Sequence, residues 1–249
     1  MLPERMPPNI AEYIGLAQYL LHWACYCQFA PGAPTSYGLP GFPLFLAAVF
    51  TLVGDDPLKA RLAPSVVGSI TCLLTSEMAR DLFGRRTAIL AGFNSASYPQ
   101  LFLVDAWLYS ESRATCLITA SCLATMRVLQ RPIGWRWTLV GSLIGVTSLV
   151  RPHGIYGLVA VAAWAVAVVL RRRVSAKRAA LAAGLIVLGC VAILAPWTVR
   201  NFVVTDGAFV PLSCGGGIVL AGAYSNTAYA LPGFRGELVQ SGEHPLHGR

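Results

Sequence analysis

Residues 60–86 read ARLAPSVVGSITCLLTSEMARDLFGRR, an apolar run of spanning length that stops at Gly84 and delivers a pair of arginines, Arg85 and Arg86. A transmembrane helix needs about 20 predominantly apolar residues, and Lys and Arg just beyond its end mark the cytoplasmic side. The signal recurs at every second boundary between apolar runs: Arg127, Arg131 and Arg136, then Arg171, Arg172 and Arg173 with Lys177 and Arg178. That rhythm sets a topology in which the intervening boundaries face outward. Those outward boundaries hold Glu111, Arg151-Pro152-His153 and Arg200-Asn201, polar residues that topology does not explain.

Composition agrees. Of 249 residues, 55% are hydrophobic and only 12% charged, with a mean hydropathy of +0.60, too apolar to clothe a soluble globule. The net charge of +8 does not point to nucleic acid, because most basic residues sit in short loops between apolar runs rather than along one solvated face. The seven cysteines, Cys25, Cys27, Cys72, Cys116, Cys122, Cys190 and Cys214, lie mostly inside apolar runs, where Cys behaves as a small hydrophobe. Cys25 and Cys27 lack the usual zinc or redox spacing, so neither a disulfide framework nor a metal site is read from them.

The expected fold is all-α and polytopic, with about six transmembrane helices at 62–83, 88–104, 112–128, 138–150, 154–170 and 179–197 and two external interfacial helices. The run 138–150 is short and needs packing among other helices or a bend at Arg151-Pro152. Residues 1–9 carry three prolines and no apolar run, so no signal peptide is visible. Residues 40–54, PGFPLFLAAVFTLVG, reach about two-thirds of a spanning length, which favours an interfacial or re-entrant helix. If 62–83 runs inward to Arg85-Arg86, residues 55–61 are external, and so is all that precedes them unless 40–54 crosses. In 10–26 the apolar residues Ile10, Tyr13, Leu16, Ala17, Leu20, Leu21 and Ala24 recur at spacings of three and four, an amphipathic helix; 31–40 is a turn-rich linker. The organisation is an external loop at 1–61, a helix bundle at 62–200 and an incomplete external segment at 201–249. Glu77, deep in the first span, stands three residues before Arg80 and is expected to pair with it.

Taken in order, AEYIGLAQYLL (11–21), PTSY (34–37), PGFPLFLA (40–47), the 60–86 helix, Ser110-Glu111, LVRPHG (149–154) and APWTVRNFVVTDGAFVPLS (195–213) resemble the bacterial GT-C glycosyltransferases. The chain looks like the protein O-mannosyltransferase and lipid A aminoarabinose transferase type over about residues 9–224. The resemblance implies transfer of a sugar from a polyprenyl-phosphate-linked donor to a cell-envelope glycan, lipid or protein acceptor outside the membrane. It implies a multi-pass protein of the plasma or inner membrane, in contact with membrane lipid and not nucleic acid, whose N-terminal loop and C-terminal segment are external. That family's first external loop carries two short helices parallel to the membrane, in agreement with 10–26 and 40–54.

Such a transfer needs a base for the acceptor hydroxyl, cationic or metal groups for the departing phosphate and an apolar groove for the polyprenyl chain. Glu111 matches the family's acidic residue at the outer start of a helix; a simple first-turn acid in the helix dipole is the plainer reading. Arg151 and His153 match the Arg-Pro corner. Arg151 is read as a phosphate clamp rather than an interfacial anchor, and His153 as a metal ligand or proton carrier, or a histidine satisfied at a helix start. Arg200 is either a second phosphate contact or a snorkelling arginine. Tyr37, with Pro40 and Pro43, shapes the substrate loop rather than reacts. A divalent metal would need ligands beyond Glu111 and His153, and the tail histidines His244 and His247 mark no site.

The resembled family places its catalytic aspartate four residues before Tyr13, where this chain has Asn9, which cannot take a proton. Glu12 is a nearby carboxylate, but three residues later on a helix it shares that face only approximately and would have to reach back to substitute. The family's members also begin with a helix before this loop and continue past the last run here, so the chain reads as truncated at both ends. A glycosyltransferase by descent therefore leads. A non-catalytic membrane subunit or relic that binds polyprenyl phosphate comes second, and a transporter third, since no internal repeat is visible.

Overall fold

The computed structural model describes residues 8–28, 32–60, 62–101, 110–131, 134–171 and 174–215. Among them the fold is helical: α1 (Pro8–Trp23), α2 (Gly41–Val53), α3 (Pro57–Ala60), α4 (Leu62–Phe83), α5 (Arg85–Ser97), α6 (Glu111–Gln130), α7 (Gly134–Val150), a 3-10 turn (Pro152–Ile155), α8 (Tyr156–Leu170) and α9 (Ala176–Val204). The single strand-like contact there is an isolated bridge between Cys27 and Pro34.

Two of these helices are long and apolar enough to cross a membrane: α4, with 22 residues and a mean hydropathy of 1.3 over its best window, and α9, with 29 residues and 2.4. At 1.5 Å per residue they reach about 33 and 44 Å, against a hydrocarbon core of about 30 Å. The other expected runs are helical over most of their length, though shorter or less apolar. The run expected at 88–104 instead begins at Arg85, directly after Gly84 turns the chain at φ 89°, and α5 closes on Ser97; residues 102–104 lie outside those described. The tail 216–249 lies outside them as well. The helix expected to stop at Trp197 continues through Pro196 to Val204.

The bundle core lies between α7 and α9, where Val140, Ile144, Ala182, Ile186 and Cys190 are buried together with Val128 of α6. Glycine makes this approach possible. A Cβ on Gly141 would run into the Ile186 carbonyl, one on Gly189 into the Thr138 carbonyl, and one on Gly145 would stand 2.9 Å from Ile193 Cβ. Small residues four apart let membrane helices meet backbone to backbone. At one end of the bundle, Arg127 of α6 bridges Glu77 (2.6 Å) and Asp81 (2.9 Å) of α4, and Arg80 pairs with Glu77 at 2.6 Å, the local pair that the i,i+3 spacing predicts.

At the other end lie α1 and α2. Ile14 and Ala17 pack on Phe42, Leu46, Val49 and Phe50 in a separate apolar core. α2 is 13 residues long, about 20 Å, and ends at Gly54 with φ 85°. The amphipathic run expected to reach residue 26 stops at Trp23, with Ala24 in the left-handed region (φ 47°). Cys25 and Cys27, in which no disulfide was read, are joined by one here, with 5.3 Å between their Cα atoms.

Candidate functional site

The first turn of α2 lies on the last turn of α7: a Cβ on Gly41 would stand 2.7 Å from both the Leu149 carbonyl and Val150 Cγ2. The 3-10 turn folds back onto the same helix end, where a Cβ on Gly154 would come within 2.5 Å of the Ser148 nitrogen. Two glycine-permitted approaches therefore fix the Arg151-Pro152-His153 corner in place.

Arg151 reaches Glu111 at the start of α6, 40 residues away, its Nη2 donating to Glu111 Oε1. The side chains stay 30% and 48% exposed, so the pair is open to a ligand. Beside it, buried Ser110 hydrogen-bonds Tyr13 of α1. Burial, the largest influence, pushes the Tyr13 phenol up; Arg151 pulls it down and Glu12 pushes it up again, so Tyr13 feels both charges. Two residues past Glu111, buried Arg113 lies over the rings of Phe42 (4.7 Å) and Phe45 (5.0 Å) and joins α6 to α2. This is the cation–π geometry of a guanidinium on an aromatic face.

Glu12 is half-buried, and desolvation pushes its carboxyl above the ordinary range. Its Oε1 accepts from Gln28 Nε2 at 2.7 Å. Around it stand three phenols: Tyr13, Tyr26 and Tyr37 are all raised by burial, and all feel the Glu12 charge. Asn9 lies one turn earlier, on the first turn of the same helix.

The end of α9 ties this loop down. Arg200 donates to the Thr35 carbonyl and, at 3.2 Å, to the Tyr26 carbonyl; its guanidinium lies over the rings of Tyr26 (5.4 Å) and Trp197 (4.9 Å). Asn201, fully buried, donates to the Val210 and Leu212 carbonyls, and Trp197 Nε1 to Leu212 at 2.7 Å. Residues 210–214 are thereby turned back on the loop, where Cys214 N meets the Ser36 carbonyl at 3.0 Å.

Below the corner an apolar cavity of about 470 Å³ opens between α6, α7 and α8, within the 300–1,000 Å³ usual for ligand pockets. Ile118, Thr125, Trp137, Ile144 and Trp164 line it, and exposed His153 with Gly154 forms one end. Among the described residues no three His, Cys, Asp or Glu side chains converge as a metal site would require. Of the residues singled out in the sequence, Glu111 and Arg151 meet, with His153 adjoining; Glu12 and Tyr37 interact; and Arg200 braces the loop.

A family model described as dolichyl-phosphate-mannose-protein mannosyltransferase matches residues 34–197. The chain belongs to that family. Its match takes in Tyr37, Glu111, Arg151 and His153, starts after Asn9 and Glu12, and ends before Arg200. The family is membrane-integral, in accord with the two spanning-length helices. No curated protein and no solved structure gives a significant match.

Sequence reading gave no role to Ser110, Arg113 or Gln28. Arg113 was there to find, being an arginine two residues from Glu111 on a boundary where the topology rule predicts none. Gln28 offered no signal, because its partner is 16 residues away across a turn.

Proposed function

We propose that the chain transfers a sugar from a polyprenyl-phosphate donor to an acceptor hydroxyl on the outer face of the membrane. The cavity takes the first part of the polyprenyl chain, Arg151 holds the phosphate and Glu111 holds Arg151 in register. The acceptor oxygen bonds to the anomeric carbon, the bond from that carbon to the phosphate oxygen breaks with its electron pair leaving on the phosphate, and the hydroxyl proton passes to Glu12. A carboxyl raised by desolvation suits this task, since a base works best with a pKa drawn towards the working pH. Arg200, engaged with carbonyls of the loop, is a brace that keeps Gln28 and Tyr37 in place. The observation that carries the reading is the Glu111–Arg151 pair, open to solvent and two residues from the His153 end of an apolar cavity, with Tyr13 feeling both Arg151 and the half-buried Glu12.

Asn9, standing where the resembled enzymes carry their base, favours a second reading: binding of polyprenyl phosphate without transfer. The two part in proteoliposomes supplied with polyprenyl-phosphate-linked mannose and a candidate acceptor. Transfer that falls about 10²–10⁴-fold in Glu12→Gln, with lipid binding unchanged, is expected. Phosphate-selective binding with no transfer by the unmodified protein establishes the second reading, and loss of both sinks the assignment.

A further inference from the structure

Gln28 is held from two sides. Its Nε2 donates to Glu12 Oε1 at 2.7 Å, and its Oε1 accepts from Thr35 Oγ1 at 3.4 Å. Thr35 is fixed in turn: its Oγ1 accepts from Tyr37 N at 3.1 Å, its own nitrogen donates to the Tyr26 carbonyl at 3.0 Å, and its carbonyl accepts from Arg200. The neighbouring residue Cys27 is locked by its bridge to Pro34 and its bond to Cys25. A glutamine amide is neutral at every working pH and its NH₂ only donates. With the carbonyl end occupied by a hydroxyl donor, the amide is oriented NH₂ towards the carboxylate.

We infer that Gln28, oriented by Thr35, is a positioning residue for Glu12: it fixes the carboxylate by bonding Oε1 and directs proton transfer to Oε2. The inference rests on Glu12 being the base. A hydrogen bond to the charged form of a carboxyl lowers its pKa, so this amide works against the desolvation that raises Glu12. Among the described residues, the titratable groups that interact with Glu12 are Tyr13 on its own helix and Tyr26 and Tyr37 on the loop; Arg151 acts on Tyr13, Arg200 on Tyr26 and Cys214 on Tyr37. All three phenols are raised by burial and stay neutral through the acid range. The phenols therefore do not set the acid limb, and because Glu111 pairs with Arg151 rather than with Gln28, a shift of that limb between variants reports Glu12.

The test is the pH dependence of transfer by the full chain in proteoliposomes, comparing Gln28→Leu with the unmodified protein. Removing the donor should lower kcat by about tenfold, the loss expected for one hydrogen bond to a charged group. It should leave the KM for the lipid donor unchanged and move the acid limb upward by about one pH unit. Should Gln28→Leu fail to fold, Thr35→Val serves: it keeps the bonds made by the Thr35 nitrogen and carbonyl, removes the hydroxyl with its bonds to Gln28 and Tyr37 N, and should move the limb in the same direction by less. An acid limb that stays put in whichever of these variants folds overturns the inference, whatever happens to kcat. Glu12→Gln separates this from the larger reading. If it remains active, Glu12 is not the base and both fall; if it is inactive while Gln28→Leu keeps the unmodified profile, the positioning role alone falls.

Discussion

Arg151→Ala should separate binding from stability. The Glu111–Arg151 pair is partly exposed on both sides, at 48% and 30%, and such pairs contribute about 0–1 kcal/mol to folding. In a chain of this size that is a shift of at most about 2–4 °C in Tm. A guanidinium holding a phosphate is a different matter, because a hydrogen bond to a charged group contributes about 1.5–3 kcal/mol, or about 10- to 150-fold in affinity. Trp137 and Trp164, 5.4 Å apart on the cavity wall, supply the assay: their fluorescence should change as a prenyl chain enters. Titration with polyprenyl phosphate and with the uncharged polyprenol should show strong preference for the phosphate in the unmodified protein and near-equal affinities in Arg151→Ala. Arg151→Lys, which keeps the charge and loses the planar fork, should fall between. The reasoning is refuted if Arg151→Ala keeps its preference for phosphate, or if Tm drops by ten degrees or so and polyprenol affinity falls in step, since the pair would then be structural.

Two further outcomes follow from the packing and the loop. Gly141→Ala places a methyl against the Ile186 carbonyl, which belongs to backbone and cannot rotate away, and should destabilise by about 1–3 kcal/mol; Gly184→Ala, on the same α7–α9 pair but facing open space, should stabilise by about 0.5–1 kcal/mol; thermal unfolding in detergent reads both, and equal signs would contradict the close-approach argument. Partial burial alone would raise the Asp55 carboxyl, but hydrogen bonds from Gln18 (3.0 Å) and His22 (3.1 Å) outweigh it and hold the group below its ordinary value. A depressed carboxyl stabilises the fold above its unfolded pKa of about 4 and loses that contribution as pH falls through the lower folded value. Asp55→Asn should therefore melt about 1–2 °C lower at pH 6 and no lower than the unmodified protein near pH 3.

The helices were legible because hydropathy and arginine spacing are local, repeated signals: 62–83 and the short apolar 40–54 appear within a residue or two of α4 and α2. Boundaries failed where a single residue decides them. Ala24 in the left-handed region ends α1 three residues early, and Gly84 lets α5 begin on the arginines themselves. The contact of Glu111 with Arg151 was foreshadowed only by their both facing outward. Their meeting depends on Gly41 and Gly154 admitting backbone contacts that no periodicity encodes. Topology left Arg200 unexplained, with a phosphate contact and a snorkelling arginine both open; in the fold its guanidinium donates to a carbonyl of a loop 165 residues distant in sequence, which no local pattern encodes.

The carboxylate at position 12 and the amide at position 9 are better understood together than apart. Residues three apart on a helix have Cβ atoms about 5–6 Å from each other, and Glu carries one more methylene than Asp, so a proton acceptor at 12 serves a neighbouring volume to that of an aspartate at 9. What position 12 needs in exchange is restraint, since a longer side chain has more rotamers to lose. Gln28 supplies that restraint from the loop, the loop is fixed by Arg200 and the Cys25–Cys27 link, and Arg200 stands on α9, one of the helices that form the bundle core. On the proposed reading, a base moved by three residues is thus tied to a helix that packs in the bundle core, the restraint a catalytic carboxylate needs to hold its geometry at the membrane surface.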